Sequence, residues 1–234
     1  NLTLDIMSHF WAKAEWTAQD TITIQYSPYS STSFIVENDW SAESYWYEIL
    51  AIKTATGADK HNRITLKGLY PNSSQGDSAI AKLFDKLGID TRFTEEGVSI
   101  STKQEFTNIH RLEYDFTDIP DMAQTFAVTY CAMNIPFHFT GLQSLGIKET
   151  DRIDALCNEL RKVGYVLESR NDRELLWNGN TCTPTFEPID TYDDHRMAMS
   201  FAPLAIKFGH IDINNPEVVS KSYTNYWSDI QKII

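Results

Sequence analysis

Two glycines, Gly88 and Gly164, each close an apolar helical pattern, and they stand 76 residues apart. Ile80, Leu83, Phe84 and Leu87 precede the first; Ile153, Leu156, Cys157, Leu160 and Val163 precede the second. Steps of three and four residues gather these side chains on one helix face. A glycine directly after such a face suits a left-handed C-terminal turn. Ile89 follows one glycine and Tyr165-Val166-Leu167 the other, so each junction leads from helix into strand. An earlier junction matches: Leu4, Ile6, Met7 and Phe10 lead to Trp11, 77 residues before Gly88, and on to the alternating Thr21-Ile22-Thr23-Ile24. Repetition at a fixed period constrains a fold more than any local propensity does.

A second element recurs at nearly the same spacing. Residues 34–39 lead into a helix through Ser44, Trp46, Ile49 and Leu50. Residues 112–119, then Pro120-Asp121, lead into one through Met122, Phe126, Tyr130 and Met133. Residues 186–189, then Asp193-Asp194-His195-Arg196, lead into one through Met197, Met199, Phe201 and Leu204. Short strands over 63–68 and 135–141 are each followed by Leu, and a helix begins about nine residues later, at Asp77 or Asp151. A partial third copy is Ile211-Asp212-Ile213, with a helix predicted near residues 220–223. Units of roughly 75 residues are too long for a solenoid and predict a pseudo-symmetric α/β domain. The Ser- and Tyr-rich stretch 25–33 is the candidate domain boundary.

A net charge of −12 argues against nucleic acid or an anionic membrane as partner. No apolar run reaches membrane-spanning length, and Cys131, Cys157 and Cys182 form no CxxC pair, so reduced thiols in a cytoplasmic protein are expected, with no metal site. Dinucleotide, Walker, nucleophile-elbow and HExxH motifs are absent. His138 reads as a structural strand residue, and the Trp and Tyr content as packing.

Against this acidic background the basic residues at loop–helix junctions stand out. Lys148, Glu149 and Arg152 crowd the start of a helix that Thr150 or Asp151 can cap. A helix N-terminus already favours an anion, and two cations strengthen that preference. Equivalent junctions carry Asp121, the Asp194-His195-Arg196 turn and Lys221. Arginine forks hold carboxylates and phosphates in fixed orientation, while Lys148 and Lys221 would add point charges. Asp121 or Glu149 can serve as general acid or base, with His195 nearby. Taken singly, Asp121 is a helix cap, His195 a turn residue and Lys221 a surface lysine; recurrence at equivalent positions favours a shared function.

Lys148-Glu149-Thr150-Asp151-Arg152 together with Asp194-His195-Arg196-Met197-Ala198-Met199 is a specific pairing, and it resembles the enolpyruvylshikimate-phosphate synthase family. Val36-Glu37-Asn38-Asp39, Ser44-Tyr45, Ser74-Gln75-Gly76-Asp77, Ile119-Pro120-Asp121 and Lys221-Ser222-Tyr223 support it in the same order. The resemblance implies two α/β lobes of βαβαββ repeats, pseudo-threefold, with helices inside and sheets outside. Residues 1–34 would be the tail end of the N-terminal lobe and 35–234 the C-terminal lobe. It implies transfer of an enolpyruvyl group from phosphoenolpyruvate to the 5-hydroxyl of shikimate 3-phosphate, releasing phosphate, in aromatic amino-acid biosynthesis. Asp121, Glu149 and His195 would be catalytic. Asp121, Lys148 and Ser144 would meet shikimate 3-phosphate; Arg152, Arg196 and Lys221 would bind phosphoenolpyruvate. No cofactor or metal is implied, glyphosate would inhibit the complete enzyme, and a full-length monomer is expected.

Several family features do not appear. The N-terminal lobe's Lys-Ser pair, Gly-rich segment ending in Arg, and Ser-Ser-Gln motif are missing from their places, and Ser73-Ser74-Gln75 is not that motif. Trp11 replaces a helix-ending glycine, Trp40 and Glu43 replace small residues, and Gly146 replaces a longer one. The isolated chain is therefore expected to be inactive. Two rivals stay open within the fold: the transferase acting on a UDP-amino sugar, and a lobe that binds anions without turnover. A purely structural α/β domain is the third.

Overall fold

The computed structural model describes residues 2–57, 63–104 and 109–233. In chain order it runs α1 (Leu2–His9), β1 (Lys13–Ala18), β2 (Thr21–Gln25), α2 (Trp40–Thr56), β3 (Arg63–Lys67), α3 (Ile80–Asp85), β4 (Ile89–Thr94) and β5 (Gly97–Thr102). Then come β6 (Leu112–Asp115), α4 (Ala123–Ala132), β7 (Phe137–Thr140), α5 (Arg152–Lys162), β8 (Glu168–Arg170) and β9 (Glu174–Trp177). The chain closes with α6 (His195–Phe201), α7 (Ala205–Phe208) and α8 (Tyr226–Ile230).

The middle of the chain is a complete βαβαββ unit, β6-α4-β7-α5-β8-β9. Its sheet has the order β6-β7-β9-β8, with β6 and β7 parallel and the remaining pairs antiparallel. The preceding unit repeats it without the first strand, since β3-β5-β4 follows the same order as β7-β9-β8. Where that first strand would lie, residues 34–39 form an unpaired strap joined to β3 through Asn38 N–H to the Gly68 carbonyl at 2.9 Å. The final unit keeps only a parallel bridge between Ile189 and Ile213.

The periodicity survives at its left-handed turns. Trp11 (φ 68°), Gly88 (φ 82°) and Gly164 (φ 101°) all end their helices with positive φ. Trp11 thus adopts the conformation its position demands despite its Cβ, which glycine would accept without cost. Gly141 (φ 76°) shows the other reason for a glycine, because a Cβ there would come within 2.1 Å of Asp115 Oδ1. That close approach packs the turn after β7 against Asp115 and Thr117.

Helices lie inside and sheets outside. All ten residues of α4 are buried, and α2 buries Trp40, Tyr45, Trp46, Tyr47 and its aliphatic residues around it. Phe84, Phe116, Phe126, Phe137 and Phe139 join the two layers as edge-on, tilted and stacked rings, with centroids 4.1–5.8 Å apart. Cys131 is buried, while Cys157 and Cys182 are partly so, and all three are free thiols. Among the described residues no helix is long and apolar enough to cross a membrane.

Several expectations need correction. Tyr165-Val166-Leu167 is not a strand: Tyr165 makes one bridge to Thr181, and β8 starts at Glu168. Phe186 is left-handed (φ 53°), so residues 186–189 are not a continuous extended segment. The helix predicted near 220–223 is instead a 3-10 turn, Pro216–Lys221, followed by α8 at Tyr226. Nor are all tryptophans packing residues, since Trp11 and Trp16 are 71% and 50% exposed. Both belong to the α1–β2 arm, whose helix buries nothing and whose β2 is exposed throughout.

Candidate active site

The site is organised around one buried cation. Arg152, at the first position of α5, has a side chain only 2% exposed, and each arm of its fork meets a carboxylate. Nε donates to Asp194 Oδ2 at 2.6 Å, Nη1 to Asp121 Oδ1 at 2.8 Å, and Nη2 to Glu149 Oε2 at 2.8 Å. A guanidinium can be buried only if its charge and donors are answered in this way. Three separate junctions supply the answers: the loop before α4, the turn before α5, and the cap of α6.

The caps explain why these side chains arrive in place. Asp151 accepts from the N–H groups of Ile153 and Asp154, resolving the Thr150-or-Asp151 alternative. Because that carboxylate occupies the start of α5, the anion-attracting end of the helix is satisfied by the chain itself, contrary to expectation. Asp194 does two jobs: Oδ1 accepts the N–H of Arg196 as the cap of α6, while Oδ2 holds Arg152. Asp121 is not a cap. It lies within the 3-10 turn Pro120–Met122, and its carboxylate is free to face the cations.

Asp121 takes Lys148 Nζ at 3.1 Å as well as Arg152, and its second oxygen faces Arg196 Nη2 at 3.4 Å. Burial alone would push its carboxyl up, but Arg196, Lys148 and Arg152 together outweigh that, and it sits below the usual carboxylate range. Glu149 is also lowered, first by its own backbone N–H and then, against some burial, by Arg152. His195 is pushed below the usual imidazole range by burial and Arg196, with Asp194 and Glu149 opposing; its Nδ1 is buried without a hydrogen-bond partner. Arg196 itself, 14% exposed, feels Tyr45, Asp121, Asp77 and Asp39, which more than offset its burial.

The remaining expected residues border this cluster. Lys221 closes its 3-10 turn rather than opening a helix, and its Nζ donates to the Asp193 carbonyl at 2.6 Å, next to Asp194. Ser144 opens the 3-10 turn Leu145–Ile147 that delivers Lys148. His138 pairs with Glu174 at 2.7 Å in the sheet, away from these groups. Among the described residues no three His, Cys, Asp or Glu side chains converge as metal ligands.

Residue-type reasoning overlooked the counter-ions. Asp194 is fully buried, and Asp77, raised mainly by burial and only partly relieved by Ser41, also feels the charge of Arg196. Ser41 Oγ donates to Asp77, tying α2 to the loop before α3. The available signal was the acidic residue inside each quoted motif, because a buried arginine needs one.

Chemically the cluster is two carboxylates, Asp121 and Glu149, held by Arg152 and, for Asp121, by Lys148 and Arg196 as well, and Asp121, Lys148 and Glu149 keep 28–38% of their side chains exposed. That suits proton transfer beside a bound anion. The fold is that of the enolpyruvyl transferases. It matches an EPSP synthase from Acinetobacter baumannii with a TM-score of 0.72 over 98% of this chain and 53% of that one, at 19% identity. It also matches the enolpyruvyl transferase NikO from Streptomyces tendae with a TM-score of 0.65 over 98% of this chain and 51% of that one, at 15% identity.

Sequence narrows the class. The family model for EPSP synthase (3-phosphoshikimate 1-carboxyvinyltransferase) matches residues 1–230, and the chain belongs to that family. It is 50% identical over 233 residues, 99% of its length, to a 3-phosphoshikimate 1-carboxyvinyltransferase of Bacteroides fragilis (strain YCH46), and covers 55% of that relative. A Sulfurovum enzyme of the same description is 34% identical over 86% of this chain and 44% of its own length. The chain thus spans about half the length of the curated relatives it matches.

Proposed function

We propose that this chain contributes one half of a site that transfers the enolpyruvyl group of phosphoenolpyruvate to the 5-hydroxyl of shikimate 3-phosphate. The observation that carries the reading is Asp121, a carboxylate held by Lys148, Arg152 and Arg196 from separate elements. In this reading Arg152, Arg196 and Lys221 hold phosphoenolpyruvate, and Asp121, Lys148 and Ser144 meet shikimate 3-phosphate. Asp121 takes the proton of the 5-hydroxyl as its oxygen bonds to C2 of phosphoenolpyruvate. Glu149 delivers a proton to C3, then removes one as the C2–O bond to phosphate breaks and inorganic phosphate leaves. His195 supports Glu149. Asp194 is fully buried and stays on Arg152, whereas the part-exposed Asp121 and Glu149 are the partners that give way when the anion arrives.

Residues 1–34 are read as part of a second lobe, because β1 and β2 form a two-stranded hairpin whose β2 is exposed throughout, with Ile22 and Ile24 44% and 57% exposed. A two-stranded ribbon of this kind is marginal unless something packs on it. Turnover should therefore need the half of the relatives that this chain does not cover. The test is phosphate release from both substrates, by the chain alone and by a fusion to the first half of the Bacteroides fragilis relative. The fusion should turn over, the lone chain should not, and Asp121→Asn in the fusion should lose about 100-fold or more. An Asp121→Asn fusion as fast as its parent would overturn the assignment, and robust turnover by the lone chain would overturn the need for a second half.

A further inference from the structure

Glu159 sits two turns along α5 from Arg152, is 1% exposed, and touches none of the groups assigned to the reaction. Its carboxylate is nevertheless fully engaged. Oε1 accepts the Tyr192 hydroxyl at 2.7 Å, and Oε2 accepts the Asp190 N–H at 2.9 Å and Lys162 Nζ at 2.7 Å. Lys162 extends the same contact to the Pro188 carbonyl at 3.0 Å and Asp190 at 2.8 Å, and Asn214 holds the other oxygen of Asp190 at 2.7 Å. All of these bonds except Glu159–Lys162, which lies within α5, end on the loop 188–192.

That loop ends in a costly conformation. Tyr192 and Asp193 are consecutive non-glycine residues with φ 53° and 55°. Such residues persist in the left-handed region only where their surroundings hold them there. The turn they make directs the Asp193 carbonyl onto Lys221 at 2.6 Å and sets up Asp194, whose carboxylate reaches Arg152 and whose second oxygen caps Arg196. Asp194 N–H closes the turn on the Thr191 carbonyl at 2.8 Å. Thus three cations of the site, on α5, α6 and the 3-10 turn ending at Lys221, each contact a segment that Glu159 holds from inside and that Lys162 and Asn214 hold through Asp190.

We infer that Glu159 is a positioning residue: through Tyr192 and Asp190 it holds the strained Tyr192–Asp193 turn, and so sets the spacing of Arg152, Arg196 and Lys221. It meets no substrate. The helix that carries Arg152 therefore also carries the strut that aims Arg152's buried partner, so the two move as one body. Burial and the bond to Glu159 push the Tyr192 hydroxyl up to about 12, so it remains a donor throughout the physiological range.

The functional arm of this inference rests on the anion-site reading above, so the test has a second arm that does not. The variants are Glu159→Gln, which keeps the shape and removes the charge, and Tyr192→Phe, which removes one hydroxyl. Val163→Ala, at the buried residue that follows α5, serves as a control for a general loss of stability. In the chain as it stands, the Arg152 Nε–Hε resonance reports the bond to Asp194, and calorimetry with phosphoenolpyruvate reports the cation cluster.

Glu159→Gln should shift or broaden the Arg152 resonance and weaken phosphoenolpyruvate about tenfold. Tyr192→Phe should do both to a smaller degree, and Val163→Ala should do neither. If Glu159→Gln does not fold, Tyr192→Phe decides by the same two readouts. An unchanged Arg152 resonance in folded variants overturns the inference, as does equal weakening by Val163→Ala. If the parent chain binds no phosphoenolpyruvate, the calorimetry is done on the fusion with the first half of the Bacteroides fragilis relative, where no binding overturns the anion-site reading, and the resonance still judges Glu159.

Discussion

Replacing Asp194 with Asn isolates the charge at the centre of the site. Asparagine caps helices about as well as aspartate, so the bond from the Arg196 N–H is retained through its oxygen. Its amide nitrogen then faces Arg152 Nε across what was a 2.6 Å bond, donor against donor. Breaking one side of a buried ion pair costs about 3–5 kcal/mol. Arg152 keeps Asp121 and Glu149, which are part-exposed, so the lower end applies: about 3 kcal/mol, or roughly 6–12 °C in Tm for a chain of this size. Urea and thermal unfolding measure it directly. Asp194→Ala should cost about 1 kcal/mol more through the lost cap, and Glu149→Gln, at a 38% exposed partner, well under 1 kcal/mol. If Asp194→Asn lies within about 0.5 kcal/mol of wild type, or costs no more than Glu149→Gln, the buried-hub reasoning is refuted, because a pair that dispensable is not organising its surroundings.

Two further predictions concern carboxylates outside that hub. Glu48 on α2 is fully buried, among the described residues neither of its oxygens has a hydrogen-bond partner within bonding distance, and the neighbouring Thr129 hydroxyl, whose influence opposes the burial, donates to the Thr125 carbonyl. Burial raises its carboxyl well above the usual range, so its contribution is fully present below the unfolded value and is lost as pH rises through the folded one. Glu48→Met should therefore stabilise by about 1–3 kcal/mol at pH 8, with the gain shrinking towards pH 4; urea midpoints across pH read it, and a gain that grows on acidification would reverse the sign. Glu43, pushed up to about 7 by burial and then by Asp39, loses its contribution as pH rises through about 7. Glu43→Gln should flatten the stability profile between pH 5 and 8, and an unchanged slope there would count against it.

Much of the architecture was legible before any coordinates. The spacing of Trp11, Gly88 and Gly164 is a covalent fact, and it reappears as three left-handed helix ends at equivalent places in the repeat. Apolar faces at helical steps likewise predicted α2, α4 and α5, because burying such a stripe is what stabilises a helix. Less legible were the strand edges around Tyr165 and the helix near Lys221, where short segments with weak patterns are decided by their neighbours.

The candidate site divides along the same line. Residue identity alone placed Asp121, Lys148, Glu149, Arg152 and Arg196 of an acidic chain at loop–helix junctions, since both charge and position can be read from the chain, whereas Lys221 turned out to close a 3-10 turn. Which carboxylate faces which cation could not be read, because Arg152 meets Asp121 and Asp194 across 31 and 42 residues. Nor could the choice of Asp151 over Thr150 as cap, the burial of Asp194 as counter-ion, or the role of Glu159 as strut. A carboxylate near a helix start can cap, pair or lie in water, and only the packing of α4, α5 and α6 determines which of these removes it from water. The sequence determined that the charges exist and recur; the tertiary structure decided their partners, because desolvation depends on what is packed around a group.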